Sequence, residues 1–404
     1  MSIKNGARLR VLVSLGLLGV LVGSLVVGCG KSSPSTTSPQ STSKATSSAP
    51  ASSTTTTTKP ATTSAATTAK PTTTSAPPTS SANRQQQLEA AAQKEGKITF
   101  WTSFGTLADT YLAPFKKKYP WLQVEVWQAT NEPIGQKFMA EAQVGTHTAD
   151  VLGLSEEVAL AIPASLYGKY EWPNTTDWPA TSKQKDGLYL RSHMNPMGPT
   201  FNTNLAGANP PKKWDDLKNP AWKGKAVAAT DSEEAPLMTA LIWGQPGQPA
   251  WDKSFAYWQE LFTTLQPKTT TGYTPPTKLL GAGEYYLFVY DSGAVALREM
   301  MTSKLPIALL PDVIPAKPSV LALPKDTPHP NAARLFLDYM TSPEGATLFS
   351  NTMYSISMSP SAANSEPNKV ISEKGIKLFV VTADQMSKEN MKKSGDFWRK
   401  LLGL

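Results

Sequence analysis

The chain has 404 residues, of which 40% are hydrophobic and 17% charged, and its mean hydropathy is −0.28. These values exclude an integral membrane protein, and because a single core stops growing near about 250 to 300 residues, they also exclude one undivided lobe. The formal charge of +8 is carried by scattered lysines and arginines without interleaved stacking aromatics, which excludes a nucleic-acid groove.

Residues 1–28 begin with Lys4, Arg8 and Arg10, continue with an apolar run from Val11 to Val27, and end in Val26-Val27-Gly28 before Cys29. This segment resembles a bacterial lipoprotein signal, and its removal would leave a net charge of +5. The run is short for a span of about 20 apolar residues and is broken by glycines. The resemblance implies cleavage before Cys29 and lipidation of that residue, which places the protein on the outer face of a cell membrane. Cys29 is the only cysteine, so an intramolecular disulfide and any multi-cysteine metal site are excluded.

Residues 29–83 are almost entirely Ser, Thr, Pro and Ala and lack side chains large enough to offset the entropy of ordering. They read as a disordered tether of about 50 residues with a reach on the order of 40 Å.

From residue 84 the pattern alternates between helix and strand. A helix is expected over 84–95, stopped by Gly96, and a strand over 97–103. Helix 107–119, strand 122–129, helix 134–144 and strand 150–155 follow. Beyond Pro163 the chain is loop-rich, with an extended stretch over 197–204. Then come strand 225–230, helix 251–265, strand 285–290, helix 294–302, strand 307–310, a returning strand at 320–323, and helices at 331–340 and 344–350. Such alternation predicts an α/β architecture of mainly parallel sheets, with ligand contacts on loops at the carboxyl ends of strands.

Four stretches carry a family resemblance. They are Leu88 to Ser103 (LEAAAQKEGKITFWTS), Ala140 to Gly145 leading to Ala149-Asp150-Val151-Leu152, Trp214 to Lys225 (WDDLKNPAWKGK), and Pro328 to Met340 leading to Ser342-Pro343-Glu344-Gly345. Together they resemble the extracellular solute-binding proteins of the ferric-iron, thiamine and phosphonate type. The resemblance implies a two-lobed type II periplasmic-binding fold, with lobe 1 built from 84–200 and 313–404, lobe 2 from 201–312, and crossing hinge strands between them. It also implies a monomer that closes on a small molecule or ion and presents it to an ABC transporter permease, with no cofactor and no catalysis.

Candidate ligand contacts fall on the strand-tip loops: Thr102, Ser103 and Thr106; Asn131 and Glu132; Ser155 and Glu156; Thr230 and Asp231; Tyr290 and Asp291. Hydroxyls and free N–H groups there suit an anion, the carboxylates suit a cation, and the charge of the ligand stays open. The bland alternative at each loop is ordinary helix capping. Trp101 either packs in the core or stacks on a ring-bearing ligand, and His329 before Pro330 reads as a turn residue.

In ferric-binding relatives, paired tyrosines follow the Gly-Glu that precedes this strand. Counting from Gly283-Glu284 places Gly293 and Ala294 there. Tyr285 and Tyr286, as strand neighbours, point to opposite faces and do not jointly bind an ion. Ferric iron remains the main alternative cargo. A lipid-anchored enzyme is the competing class, although the sequence has no Gly-rich phosphate loop and no His pair at ligand spacing. A passive wall protein would explain the tether alone.

Overall fold

Gly96, at φ +68°, stops the first helix in a conformation that residues with a Cβ seldom adopt, and its N–H donates to the Ala92 carbonyl at 3.0 Å. The structure is a computed structural model that describes residues 81–404, so the leader, Cys29 and the Ser/Thr/Pro tract lie outside the described residues. After α1 (Ser81–Glu95) come β1 (Lys97–Thr102), α2 (Ala108–Lys118), β2 (Gln123–Gln128), α3 (Asn131–Gln143), β3 (Val151–Ser155) and α4 (Glu156–Ala161).

β1 lies between β2 and β3 and is parallel to both, with Lys97 opposite Gln123 and Phe100 opposite Val151. Helices cover both faces of this sheet, so both sets of alternating side chains are buried. Ile98 and Phe100 join Tyr111, Leu112 and Phe115 on one face, whereas Trp101 joins Ile134, Phe138 and Leu152 on the other. Trp101 is therefore a core residue. Its ring sits 4.7 Å from that of Trp127, with the Lys137 ammonium 4.7 Å above it.

The chain continues through β4 (Tyr189–Asn202), α5 (Thr203–Ala206), β5 (Ala226–Ala229), α6 (Ala235–Trp243), α7 (Trp251–Leu265), β6 (Lys268–Thr270), α8 (Thr274–Ala282), β7 (Leu287–Ser292), α9 (Gly293–Thr302) and β8 (Ile307–Leu309). It closes with β9 (Val313–Ala322), α10 (Pro330–Met340), α11 (Pro343–Met353), β10 (Ile356–Ser357), α12 (Glu366–Glu373), β11 (Lys377–Val380) and α13 (Lys388–Leu402).

The strand order is β2-β1-β3-β9-β4-β7-β5-β6, with β8 and β10 also on β4 and β11 on β9. β4 pairs with β9 over Tyr189–Pro196 and with β7 and β8 from Met197 onward, so one strand passes from the first sheet into the second. The register breaks between Gly198 and Thr200, where Pro199 has no N–H for the ladder. The return runs from β8, paired with β4 in the second sheet, into β9, which pairs with β3, β4 and β11 in the first. These are two mixed α/β lobes, the arrangement that the sequence resemblance implied, and the strand β4 that they share keeps the described residues within one compact unit.

Two details depart from the sequence expectation. The strand expected over 197–204 starts eight residues earlier and serves both sheets. The C-terminal helix, expected to cover lobe 1, packs on lobe 2 instead. Trp398 of α13 is wholly buried, meets Trp258 of α7 edge-on at 5.2 Å, and donates its indole N–H to the Ala229 carbonyl of β5 at 3.2 Å.

Long-range polar ties fix the first lobe. Glu95 at the end of α1 accepts from the backbone N–H groups of Asn331 and Ala332, capping α10 from 236 residues away in sequence. The buried Asp150 carboxylate accepts from Thr99 N–H, Thr327 hydroxyl and His329 N–H, and its second oxygen meets His329 Nδ1 at 2.9 Å. His329 is thus the turn residue ahead of α10, as its place before Pro330 indicated.

Candidate ligand-binding cleft

A cavity of about 460 Å³ opens where the two sheets meet. Lobe 1 contributes Asn131 and Glu132 from the start of α3 and Ser155 and Glu157 from the β3–α4 junction. β4 contributes Asn195, and β9 contributes Lys317, Pro318 and Ser319. Glu234, just before α6, faces them from lobe 2, and Met386 and Met391 complete the lining from the C-terminal segment. A second cavity, of about 490 Å³ beside Trp214, Lys253 and Tyr257, lacks such walls from both sheets. Size and placement between lobes suit the first cavity to a small solute.

Lys317 is the electrostatic centre. Its ammonium lies 2.9 Å from Glu234 Oε1, and the side chains are 27% and 12% exposed. Burial by itself lowers the lysine pKa, but Glu234 and then Glu157 outweigh it and raise it above the ordinary value, so Lys317 stays charged. Among the described residues, Glu132 and Glu157 have no hydrogen bond or close ion pair, and their carboxylates remain available at the cavity.

The polar frame is already satisfied. Asn131 Oδ1 accepts from Ser155 N–H at 2.7 Å, locking the start of α3 to the end of β3. Asn195 donates to Ser292 Oγ at 3.0 Å and accepts from Ala294 N–H at 2.8 Å, tying the crossing strand to lobe 2. Thr130 and Ser155, at the N-caps of α3 and α4, make no side-chain cap bond, so the first-turn N–H groups beside the cavity are free of side-chain caps.

A model of the bacterial extracellular solute-binding protein family matches residues 110–376, well over half of the chain. The chain belongs to that family. Solved structures show the same fold at low identity. Iron-bound HitA from Pseudomonas aeruginosa is 16% identical, covers 76% of this chain and 99% of its own, and has a TM-score of 0.58. The Trichodesmium protein IdiA, or FutA, in complex with iron and citrate, is 16% identical over the same shares with a TM-score of 0.60. AfuA from Actinobacillus pleuropneumoniae, with fructose-6-phosphate bound, is 18% identical over 76% and 99% with a TM-score of 0.55. A comparison with curated proteins found no match. Membership makes this a binding protein, not an enzyme, and implies a cognate ABC transporter permease and work at the outer side of a membrane.

The candidate cleft gathers three of the residues expected from sequence: Asn131, Glu132 and Ser155. The other expected residues lie outside its lining. Thr102 is buried at the end of β1, where its hydroxyl accepts from Phe104 N–H at 3.0 Å. Ser103 spends its N–H on the Gly153 carbonyl at 2.8 Å, and Thr106 is exposed on the turn before α2. Thr230 and Asp231 shape the turn after β5, with Asp231 accepting from Gly272 N–H at 3.0 Å.

Glu156 is the clearest departure from the expected set. Its buried carboxylate accepts from Arg191 Nε at 2.7 Å and Tyr189 hydroxyl at 3.1 Å, and it takes Ala383 N–H at 3.3 Å. Helical geometry turns its neighbour Glu157 to the cavity instead. Tyr290 and Asp291 were placed at a strand end, but β7 runs on to Ser292 and both are wholly buried. Burial pushes the Tyr290 phenol well above its ordinary range. Asp291 accepts from Thr200 and Thr277 hydroxyls, each at 2.9 Å, and from Ser292 N–H at 2.7 Å.

Asn195, Glu234, Lys317, Met386 and Met391 escaped the sequence reading, and Glu157 was passed over for its neighbour Glu156. Lys317 did leave a signal: a lone charge between prolines in the otherwise apolar run VIPAKPSVLA. The methionines left none.

Proposed function

We propose that this protein is the lipid-anchored receptor of an ABC importer, capturing a small polar solute between its lobes and delivering it to the permease. The observation that carries the proposal is Lys317, held in β9 between Glu157 of lobe 1 and Glu234 of lobe 2 at a cavity walled by both lobes. A solute lodged there touches both lobes and so favours the closed arrangement. The test is a thermal-shift screen of the soluble chain from Lys31 onward with iron, phosphonates, thiamine, polyamines and sugars. A ligand at 100 times its dissociation constant adds about 2.7 kcal/mol. Replacing Lys317 by Ala should remove the shift, and an unchanged shift would move the site elsewhere.

Ferric iron is the second reading, and the solved relatives favour it over an unspecified solute, because two of them hold iron. Glu132, Glu157 and Glu234 offer hard oxygen donors to such a cargo. Among the described residues, no three His, Cys, Asp or Glu side chains come together as a ligand set. Iron would therefore need further oxygen donors from an accompanying anion, for which Lys317 and the open N–H groups of α3 are placed. Titration with ferric citrate against citrate alone decides this: iron-dependent binding lost in Glu157→Gln supports iron, and equal binding of citrate alone removes it.

Anchoring rests on Cys29, outside the described residues. Mass spectrometry of the membrane fraction should find a diacylglycerol thioether on Cys29, and Cys29→Ser should release the protein from the membrane.

A further inference from the structure

The cleft has a third wall that neither lobe supplies. After β11 pairs with the lower half of β9, Val381 N–H still donates to the Ala316 carbonyl at 2.9 Å, and the chain then leaves lobe 1. Ala383 N–H touches the Glu156 carboxylate of lobe 1 at 3.3 Å. Eleven residues later Ser394 is bonded into lobe 2: its hydroxyl donates to the Glu233 carbonyl at 2.7 Å and accepts from Leu237 N–H at 2.9 Å. The segment between these attachments therefore spans the two lobes beside the cavity, and Met386 and Met391 on it line the same space as Glu157 and Lys317.

These thioethers are the main apolar surface of a lining otherwise made of Asn, Ser, Glu and Lys, with Pro318 the other nonpolar residue. Both side chains are partly buried against the core, so their positions are set by packing rather than left to solvent. An unbranched, polarisable side chain adapts to hydrocarbon of varied shape, and it contributes little to a fully hydrated or hard-ion ligand.

We infer that the C-terminal strap, residues 381–391, is part of the binding site, and that Met386 and Met391 select a solute carrying a hydrocarbon face beside its polar groups. This rests on the cleft being the solute site. It sharpens that reading, because the carboxylates and Lys317 hold the polar side of the solute while the strap covers the other.

The test is calorimetry of the soluble chain with spermidine, thiamine, fructose 6-phosphate and ferric citrate, on wild type, a Met386→Ser/Met391→Ser variant and a Met386→Leu/Met391→Leu variant. Methyl-labelled methionine NMR follows the two side chains directly, with the Leu variant assigning their signals. The expected result is that spermidine or thiamine binds, both methyl signals shift, the Ser variant loses at least about tenfold in affinity and the Leu variant stays close to wild type. Binding that is equal in wild type and the Ser variant without movement of either methyl signal overturns the inference while leaving the cleft a solute site. Binding confined to fructose 6-phosphate or ferric citrate overturns it likewise. No binding of any probe by wild type overturns the inference and the receptor reading together.

Discussion

Two buried titratable residues give the fold opposite pH dependences. Burial without a compensating charge lifts the Asp291 carboxyl from its ordinary 3.8 to about 7, although Thr200, Thr277 and Ser292 donate to it. In the unfolded chain the group ionises near 4, so as pH rises through roughly 4 to 7 the folded state retains a proton the unfolded state has lost, and stability falls. Asp291→Asn should flatten this decline and raise the melting temperature at pH 8 relative to wild type, read from melting curves across pH. His193 runs the other way. Packed between Phe104 and Phe349 with ring centroids at 4.6 and 4.5 Å, its imidazole is pushed down to about 3 by burial. Stability is complete above the unfolded value near 6.5 and is lost as pH falls from there toward 3. His193→Phe should retain the packing and shift the acid-unfolding midpoint to lower pH.

The C-terminal helix is the element whose role the sequence least foretold. α13 is capped at its start by Ser387, whose hydroxyl accepts from Asn390 N–H at 3.2 Å, and is stopped by Gly403 with φ +74°. Those local signals define a helix without saying what it packs on. Trp398 decides that by filling the space between Trp258 and Phe262 of α7. Trp398→Ala should cost about 3 to 5 kcal/mol, since it leaves a large cavity and removes the indole donor from the Ala229 carbonyl, and denaturant titration measures the loss. At the start of α9, a Cβ on Gly293 would stand 2.6 Å from the Pro196 carbonyl of β4, a backbone atom that cannot step aside. Gly293→Ala should therefore destabilise by about 1 to 3 kcal/mol at the point where β4 changes sheets, in the same denaturant measurement.

At the scale of the whole molecule, three passages of chain link the lobes among the described residues: β4, the β8–β9 return and the C-terminal strap. Because β4 is hydrogen-bonded into both sheets, unfolding one lobe removes ladder partners from the other. Calorimetry of the soluble chain should show one cooperative transition with matching calorimetric and van't Hoff enthalpies, rather than two separated peaks.

The helix–strand alternation and the family motifs were legible in the sequence because each rests on spacing within a few residues. The cleft was legible only in part. Asn131, Glu132 and Ser155 follow directly from the rule that strand-tip loops face the crevice. The choice between Glu156 and Glu157 turns on one residue of helical phase, about 100° around the axis, and on whether Arg191 is there to take the first carboxylate. Lys317 meets Glu234 across 83 positions of sequence, and Met386 reaches the cavity only because α13 docks on the other lobe. Sequence by itself determined most of the elements through local propensity and periodicity, and the kind of protein through the resemblance carried by its four family stretches. Tertiary structure decided which side chains share the cleft, because that depends on register and packing between segments far apart in the chain.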